Sequence, residues 1–261
     1  MALRIAFDMD GVLADMETEL LRQATSLFGE HAIRRLQALQ QRTSKLQTLA
    51  DTVEEAPSEA DEPKPDRPKS DAASDDTPPS TKFQLSLKQQ RQLWRHIESI
   101  EGFWESFHEI EPGAVARLAA LAADRRWELI FLTKRPRSAG ATAQVQTQRW
   151  LQSKGFTLPS VYVVQGSRGR IAASLGLDFV IDDRPENCLD VVVDSRARAI
   201  LVWRDDERLV PPATRRLGIG VVKTVGECLD VLTQIDSPPG ERSSVMDKVM
   251  RLLGLKEPAS V

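Results

Sequence analysis

The chain has 261 residues, 41% hydrophobic and 28% charged, proportions that exclude collagenous, wholly disordered and membrane-embedded classes. With 35 basic against 38 acidic residues the formal net charge is -3, so no global field draws the chain onto a nucleic acid polymer or a membrane surface. Cys188 and Cys228 are too few for a disulfide framework or a multi-cysteine zinc site, no apolar run reaches the roughly 20 residues of a membrane helix, and an N-terminus carrying Asp8 and Asp10 is not a signal peptide; a cytoplasmic protein is expected.

Residues 3–7 read as a short strand that stops at Asp8-Met9-Asp10-Gly11, where glycine permits a sharp turn. From 16 to 107 the pattern is helical, with apolar positions Leu20, Leu21, Ala24, Leu27 and Phe28, then Leu36, Leu39, Leu46 and Leu49, and later Phe83, Leu87, Leu93, Trp94 and Ile97. Within this stretch, residues 57–82 hold six prolines, seven acidic and four basic residues, and only alanines as hydrophobic residues, too little apolar area to offset ordering entropy; a disordered linker is expected. Further strands are expected at 127–133, 161–164, 178–182, 199–203 and 219–222, with helices between them such as 114–123 and 142–153. Near-continuous apolar strands alternating with helices predict an α/β core with a doubly wound parallel sheet, formed by 1–15 and 108–235 and interrupted by a helical insert, 16–107. The tail, 236–261, carries an amphipathic stripe at Val245, Met246, Val249, Leu252 and Leu253.

Asp8 and Asp10 end the first strand two residues apart, so both can face one crevice. A calcium loop counted from Asp8 fails, because Leu13 stands where glycine is needed and Val12 where an oxygen ligand is needed; a turn or helix cap made by the aspartates stays open. Two other strands end in related chemistry, at Thr133-Lys134-Arg135 and at Asp182-Asp183-Arg184. A parallel sheet gathers such ends at one edge, where open α/β sheets bind ligands. Carboxylates, a hydroxyl and nearby cations together make a cage suited to Mg²⁺ and phosphate.

The ordered segments DMDGVLAD (8–15), FLTKRP (131–136) and VIDDRPEN (180–187) resemble the haloacid dehalogenase superfamily of phosphohydrolases, and within it the 5'(3')-deoxyribonucleotidase-like branch. The resemblance spans the core and leaves out the insert. It implies Asp8 as the nucleophile that becomes an aspartyl-phosphate, and Asp10 as the acid and base, its backbone carbonyl also touching the metal. It implies Thr133 as the hydroxyl that binds the phosphoryl group. Mg²⁺ would be bound among Asp8, Asp10, Asp182 and Asp183, with Asp183 the direct ligand of the acidic pair. A Mg²⁺-dependent phosphomonoesterase is implied, with a small phosphorylated metabolite such as a nucleoside monophosphate as substrate. The family's third motif is a lysine, and here the corresponding stretch is Gly166-Ser-Arg168-Gly-Arg170. Arg168 matches best by spacing, with Arg170 second; Lys134, beside Thr133, or Lys154 could instead supply an ammonium that binds substrate. The missing lysine leaves open a non-hydrolytic, phosphate-binding or regulatory member, or transfer to an acceptor other than water.

His31, His96 and His108 show no ligand spacing, and Cys188 reads as a small buried side chain. Trp94, Phe103, Trp104 and Phe107 suit either stacking on a nucleobase or packing between helices. The dispersed arginines at 196, 198, 204, 208, 215 and 216, interleaved with acids, read as a solvated surface.

Overall fold

A computed structural model of the protein describes residues 2–31, 34 and 85–236. The expected helical positions Leu36 to Leu49, the linker 57–82, Phe83 and the stripe in the tail lie outside the described residues.

Six strands form one parallel sheet: β1 (Arg4–Asp8), β2 (Glu128–Thr133), β3 (Val161–Val163), β4 (Phe179–Asp182), β5 (Arg198–Val202) and β6 (Gly220–Val222), in the order β3-β2-β1-β4-β5-β6. The chain winds outward from β1 in both directions, so the order reverses between β1 and β4. At such a reversal the loops leave the strand ends in opposite directions and open a crevice. The register pairs Asp8 with Leu132 and Phe7 with Ile181. One step beyond the last pair, the carboxylates of Asp8 and Asp182 end neighbouring strands at the same level.

Helices α3 (Ala114–Arg125), α4 (Ala143–Ser153), α5 (Arg168–Leu175), α6 (Pro185–Asp194), α7 (Pro212–Arg216) and α8 (Val225–Asp236) cover the sheet, with α1 (Met16–Phe28) and α2 (Leu87–Glu98) preceding them in the chain. Period-two alternation sends strand side chains to both faces. Ala6, Leu132, Val180, Ala199 and Leu201 meet Ala172, Cys188 and Val191 of α5 and α6 on one face, while Ile5, Phe7, Phe131, Ile181 and Ile200 are buried on the other. Thr142 caps α4 and Ser167 caps α5, each side-chain oxygen accepting a backbone N–H of the first turn. No helix among the described residues is long and apolar enough to cross a membrane.

The chain divides into two compact units: the described residues up to Met16 with those from Ile100 onward, and Glu17–Ser99. In the second unit Leu20, Ala24, Leu93, Trp94 and Ile97 are buried, Ser86 and Gln89 form a capping box, and His96 Nε2 lies 3.1 Å from Gln23 Oε1. Residues 100–107, which the helical pattern assigns to the insert, sit in the first unit. Trp104 N donates to Gln146 Oε1 at 3.0 Å, and Trp150 Nε1 donates to Phe107 O at 2.8 Å.

Helices α5 and α6 approach closely because Gly169 has no side chain: a Cβ there would lie 2.1 Å from Asp190 O and 2.6 Å from Asp194 Cβ. Backbone cannot yield as a flexible side chain can. Gly169→Ala is therefore expected to destabilise the protein by roughly 1–3 kcal/mol through overpacking, read as a lower midpoint in urea unfolding. An unchanged midpoint would show that the helices separate at no cost.

Candidate active site

Asp8 closes β1 and is 7% exposed. Its Oδ2 accepts from Asp10 N at 3.1 Å, and its Oδ1 accepts from Arg168 Nη2. Arg168 opens α5 and is 2% exposed; its Nε lies 3.6 Å from Asp182 Oδ2, and neither Nε nor Nη1 has a hydrogen-bond partner. A buried guanidinium that leaves donors unused beside a carboxylate is poised for a further anionic ligand. Asp182, fully buried at the end of β4, accepts from Arg184 N at 2.9 Å and from Asn187 Nδ2 at 3.0 Å. Asp183 is half-buried, and a Cβ on Gly11 would lie 2.1 Å from its Oδ2. Only glycine, here at φ +89°, lets the chain turn beneath that carboxylate.

Asp10 is gripped from β2. Arg135 Nη2 donates to Asp10 Oδ1 at 2.7 Å and Arg135 Nε to Oδ2 at 3.0 Å, while Thr133 Oγ1 donates to Oδ2 at 3.1 Å. The hairpin of chain after β1 is pinned by Ala14 N to Met9 O at 2.8 Å, Asp15 N to His108 O at 2.9 Å and Ile110 N to Leu13 O at 3.0 Å. Arg204 adds a longer tie, donating to Gly11 O at 2.6 Å, Val12 O at 3.1 Å and Glu111 Oε1 at 2.8 Å. Glu111 in turn accepts from Val225 N at 2.7 Å and Gly226 N at 3.0 Å, at the N-terminus of α8. Burial works to raise the Glu111 carboxyl, but those backbone donors and Arg204 hold it below its ordinary value.

Of the residues singled out from the sequence, Asp8, Asp10, Thr133, Arg168, Asp182 and Asp183 come together. Lys134 and Arg170 are exposed, and Lys154 lies over the Trp150 ring, 5.8 Å from its centroid. The reasons are local. Thr133 ends β2 and, with Arg135 two residues on, bonds Asp10, while Lys134 between them is exposed. Arg168 and Arg170 are two apart on a helix and cannot share a face. Sequence reasoning passed over Arg135, Asn187 and Arg204. Arg204 corrects the reading of its neighbourhood as a solvated surface, since it binds the loop carrying Gly11. Phe103, Trp104 and Phe107 are buried and pack edge-to-face with centroids 4.9–5.5 Å apart. Cys188 is also buried, and burial, then Asp182, pushes its thiol well above the ordinary value, so it stays protonated.

Among the described residues no three His, Cys, Asp or Glu side chains form a ready-made metal cluster. The donor set still fits a hard cation. Burial and then Asp182 push the Asp8 carboxyl well above its ordinary range, against the lowering effect of Arg168; burial and Asp183 push Asp182 up to about 6. Carboxylate oxygens are the hard ligands Mg²⁺ prefers, and it typically takes only one or two from protein, completing its shell with water and phosphate.

No protein-family model matches the sequence, and no curated protein matches it. Three solved structures are similar in fold: a HAD family hydrolase from Deinococcus radiodurans R1 with bound phosphate and sodium (17% identity, 89% of this chain and 96% of that one, TM-score 0.49), a provisionally assigned β-phosphoglucomutase from Thermotoga maritima (18%, 89% and 99%, 0.47) and a hydrolase from Pseudomonas syringae (15%, 90% and 98%, 0.44).

The raised value of Asp182 has a sign that can be tested without substrate. The folded state holds this proton more tightly than the unfolded chain, whose carboxyl titrates near 3.9. The resulting stability is full below the unfolded value and lost as pH rises through about 6. In EDTA, wild type should therefore lose roughly 2–3 kcal/mol relative to Asp182→Asn between about pH 4 and about pH 7. Placing an amide against the Asn187 amide adds a pH-independent offset, so the slope is the quantity to read, by urea unfolding across that range. Parallel curves would mean that Asp182 is ionised throughout.

Proposed function

We propose that this chain is a Mg²⁺-dependent phosphohydrolase of haloacid dehalogenase type, acting on small phosphorylated metabolites through an aspartyl-phosphate at Asp8. Nucleoside monophosphates are the first substrates to try, on the motif resemblance alone. The observation that carries the reading is Arg168: a buried cation that reaches the Asp8 carboxylate while keeping two donor nitrogens without hydrogen-bond partners. A transferring phosphoryl group is the anion that would use them.

In this scheme an Asp8 oxygen attacks phosphorus as the bond to the leaving oxygen breaks, and Asp10 gives its proton to that oxygen. Water then attacks the aspartyl-phosphate at phosphorus, the bond to Asp8 breaks, and Asp10 takes the proton of the water. Inorganic phosphate leaves and both carboxyl groups return to their starting forms. Thr133 and Arg168 would hold phosphoryl oxygens throughout. Asp8, Asp183 and the backbone carbonyl of Asp10 would bind Mg²⁺, with Asp182 held behind them by Asn187; the charge of the ion would offset repulsion between Asp8 and a phosphate dianion.

Phosphate release from nucleotides, sugar phosphates and p-nitrophenyl phosphate should require Mg²⁺, vanish in EDTA and fall by at least about 1,000-fold in Asp8→Asn. Near wild-type release by that variant would overturn the mechanism. Mg²⁺-dependent phosphate binding with no turnover on any substrate would instead favour the phosphate-binding or regulatory reading, which the arginine at the lysine position motivates.

A further inference from the structure

We propose that Arg135 is a positioning residue for Asp10, fixing the plane in which its carboxylate meets the strand ends. The proposal rests on the reading of Asp10 as the acid and base. Each of the three guanidinium nitrogens of buried Arg135 already donates to Asp10 or Thr147, so the residue is committed within the protein. Its fork takes Asp10 Oδ1 at 2.7 Å through Nη2 and spans both oxygens through Nε, at 3.1 and 3.0 Å. Oδ2 also accepts from the Thr133 hydroxyl at 3.1 Å, so both oxygens are held. A carboxylate gripped in this way cannot rotate about its own axis without breaking charge-assisted bonds.

The arginine is itself fixed from behind. Its Nη1 donates to Thr147 Oγ1 at 2.8 Å, and Thr147 passes the constraint to Ala143 O in α4 at 2.7 Å. Its guanidinium carbon lies 5.1 Å from the Trp104 ring centroid and 5.2 Å from that of Phe107. Trp104 Nε1 donates to Pro136 O at 3.0 Å, closing the cage around the segment that carries Arg135. An aromatic-walled buried cation with one hydroxyl anchor has one orientation available, and lysine, a point charge without the fork, would not reproduce it.

Loss of that orientation should affect the two halves of the reaction differently. p-Nitrophenolate departs without a proton, so formation of the aspartyl-phosphate needs little help from Asp10, whereas its hydrolysis needs Asp10 to take a proton from water. Arg135→Met is expected to release about one equivalent of p-nitrophenolate per site in a burst and then turn over about 100-fold more slowly than wild type, as for a misplaced catalytic group. With an alkyl phosphate, whose leaving oxygen needs the proton, the same variant should show no burst and a loss of about 100-fold or more. Arg135→Lys should keep most of the defect. Should Arg135→Met not fold, Thr147→Val removes the anchor behind the arginine and is expected to give the same burst with a smaller loss. Asp10→Asn, run alongside, separates the outcomes. A burst in Asp10→Asn with none in the Arg135 and Thr147 variants overturns the positioning role alone; no burst in Asp10→Asn, or no turnover by wild type, overturns the reading of Asp10 and this proposal with it.

Discussion

Four carboxylates meeting at one edge of a parallel sheet is the constraint around which the rest of this protein is organised. Asp182, Asp10 and Asp183 add to burial in driving the Asp8 carboxyl toward its neutral form. Like charges this close are tolerated only where fixed cations or donors meet them. Two arginines do so from different elements: Arg168 from the first residue of α5, and Arg135 from the chain just beyond β2. Each reaches a different aspartate of the same DxD pair, so the nucleophile candidate and the acid–base candidate are held independently.

The backbone follows from the same requirement. For Asp183 to approach the turn after β1, position 11 must be glycine; for Arg168 to enter the site from α5, position 169 must let that helix sit against α6. The turn is then stitched to β5 and α8 through Arg204 and Glu111. Glu111 places a carboxylate at a helix N-terminus, where unpaired N–H groups and the helix dipole both favour negative charge. That electrostatic chain lets a surface arginine influence a loop two strands away from it, which is why a pattern of interspersed charges was a poor guide to its role.

Much of the architecture was legible because its signals are local. Apolar runs bounded by turns mark strands, and the β-then-α rhythm requires parallel pairing, which by itself brings the ends of β1, β2 and β4 together. The clustering was legible to the same depth: residues ending those strands lie together, and Arg168, picked by its distance from Asp182, lies beside them. Arg135 carries no such local mark: it lies beyond the end of β2, and only its bonds to Asp10 and Thr147 single it out. Arg170 and Lys134 were drawn in by proximity in sequence, and both are exposed. The boundary of the insert also shifted, since Trp104 and Phe107 carry a hydrophobic signal that suits either unit, and only their hydrogen bonds to Gln146 and Trp150 assign them.

The sequence by itself determined the strand order of chemistry: which segments become buried parallel strands, and which carboxylates and hydroxyl must stand at their C-terminal ends. Those follow from periodicity and from the geometry of a parallel sheet. Only the tertiary structure decided which of several nearby cations enters the site and what each one holds. That choice depends on side-chain direction, on helix-to-helix approach at Gly169 and on an aromatic cage closing around Arg135, contacts between residues far apart in the chain that no local pattern encodes.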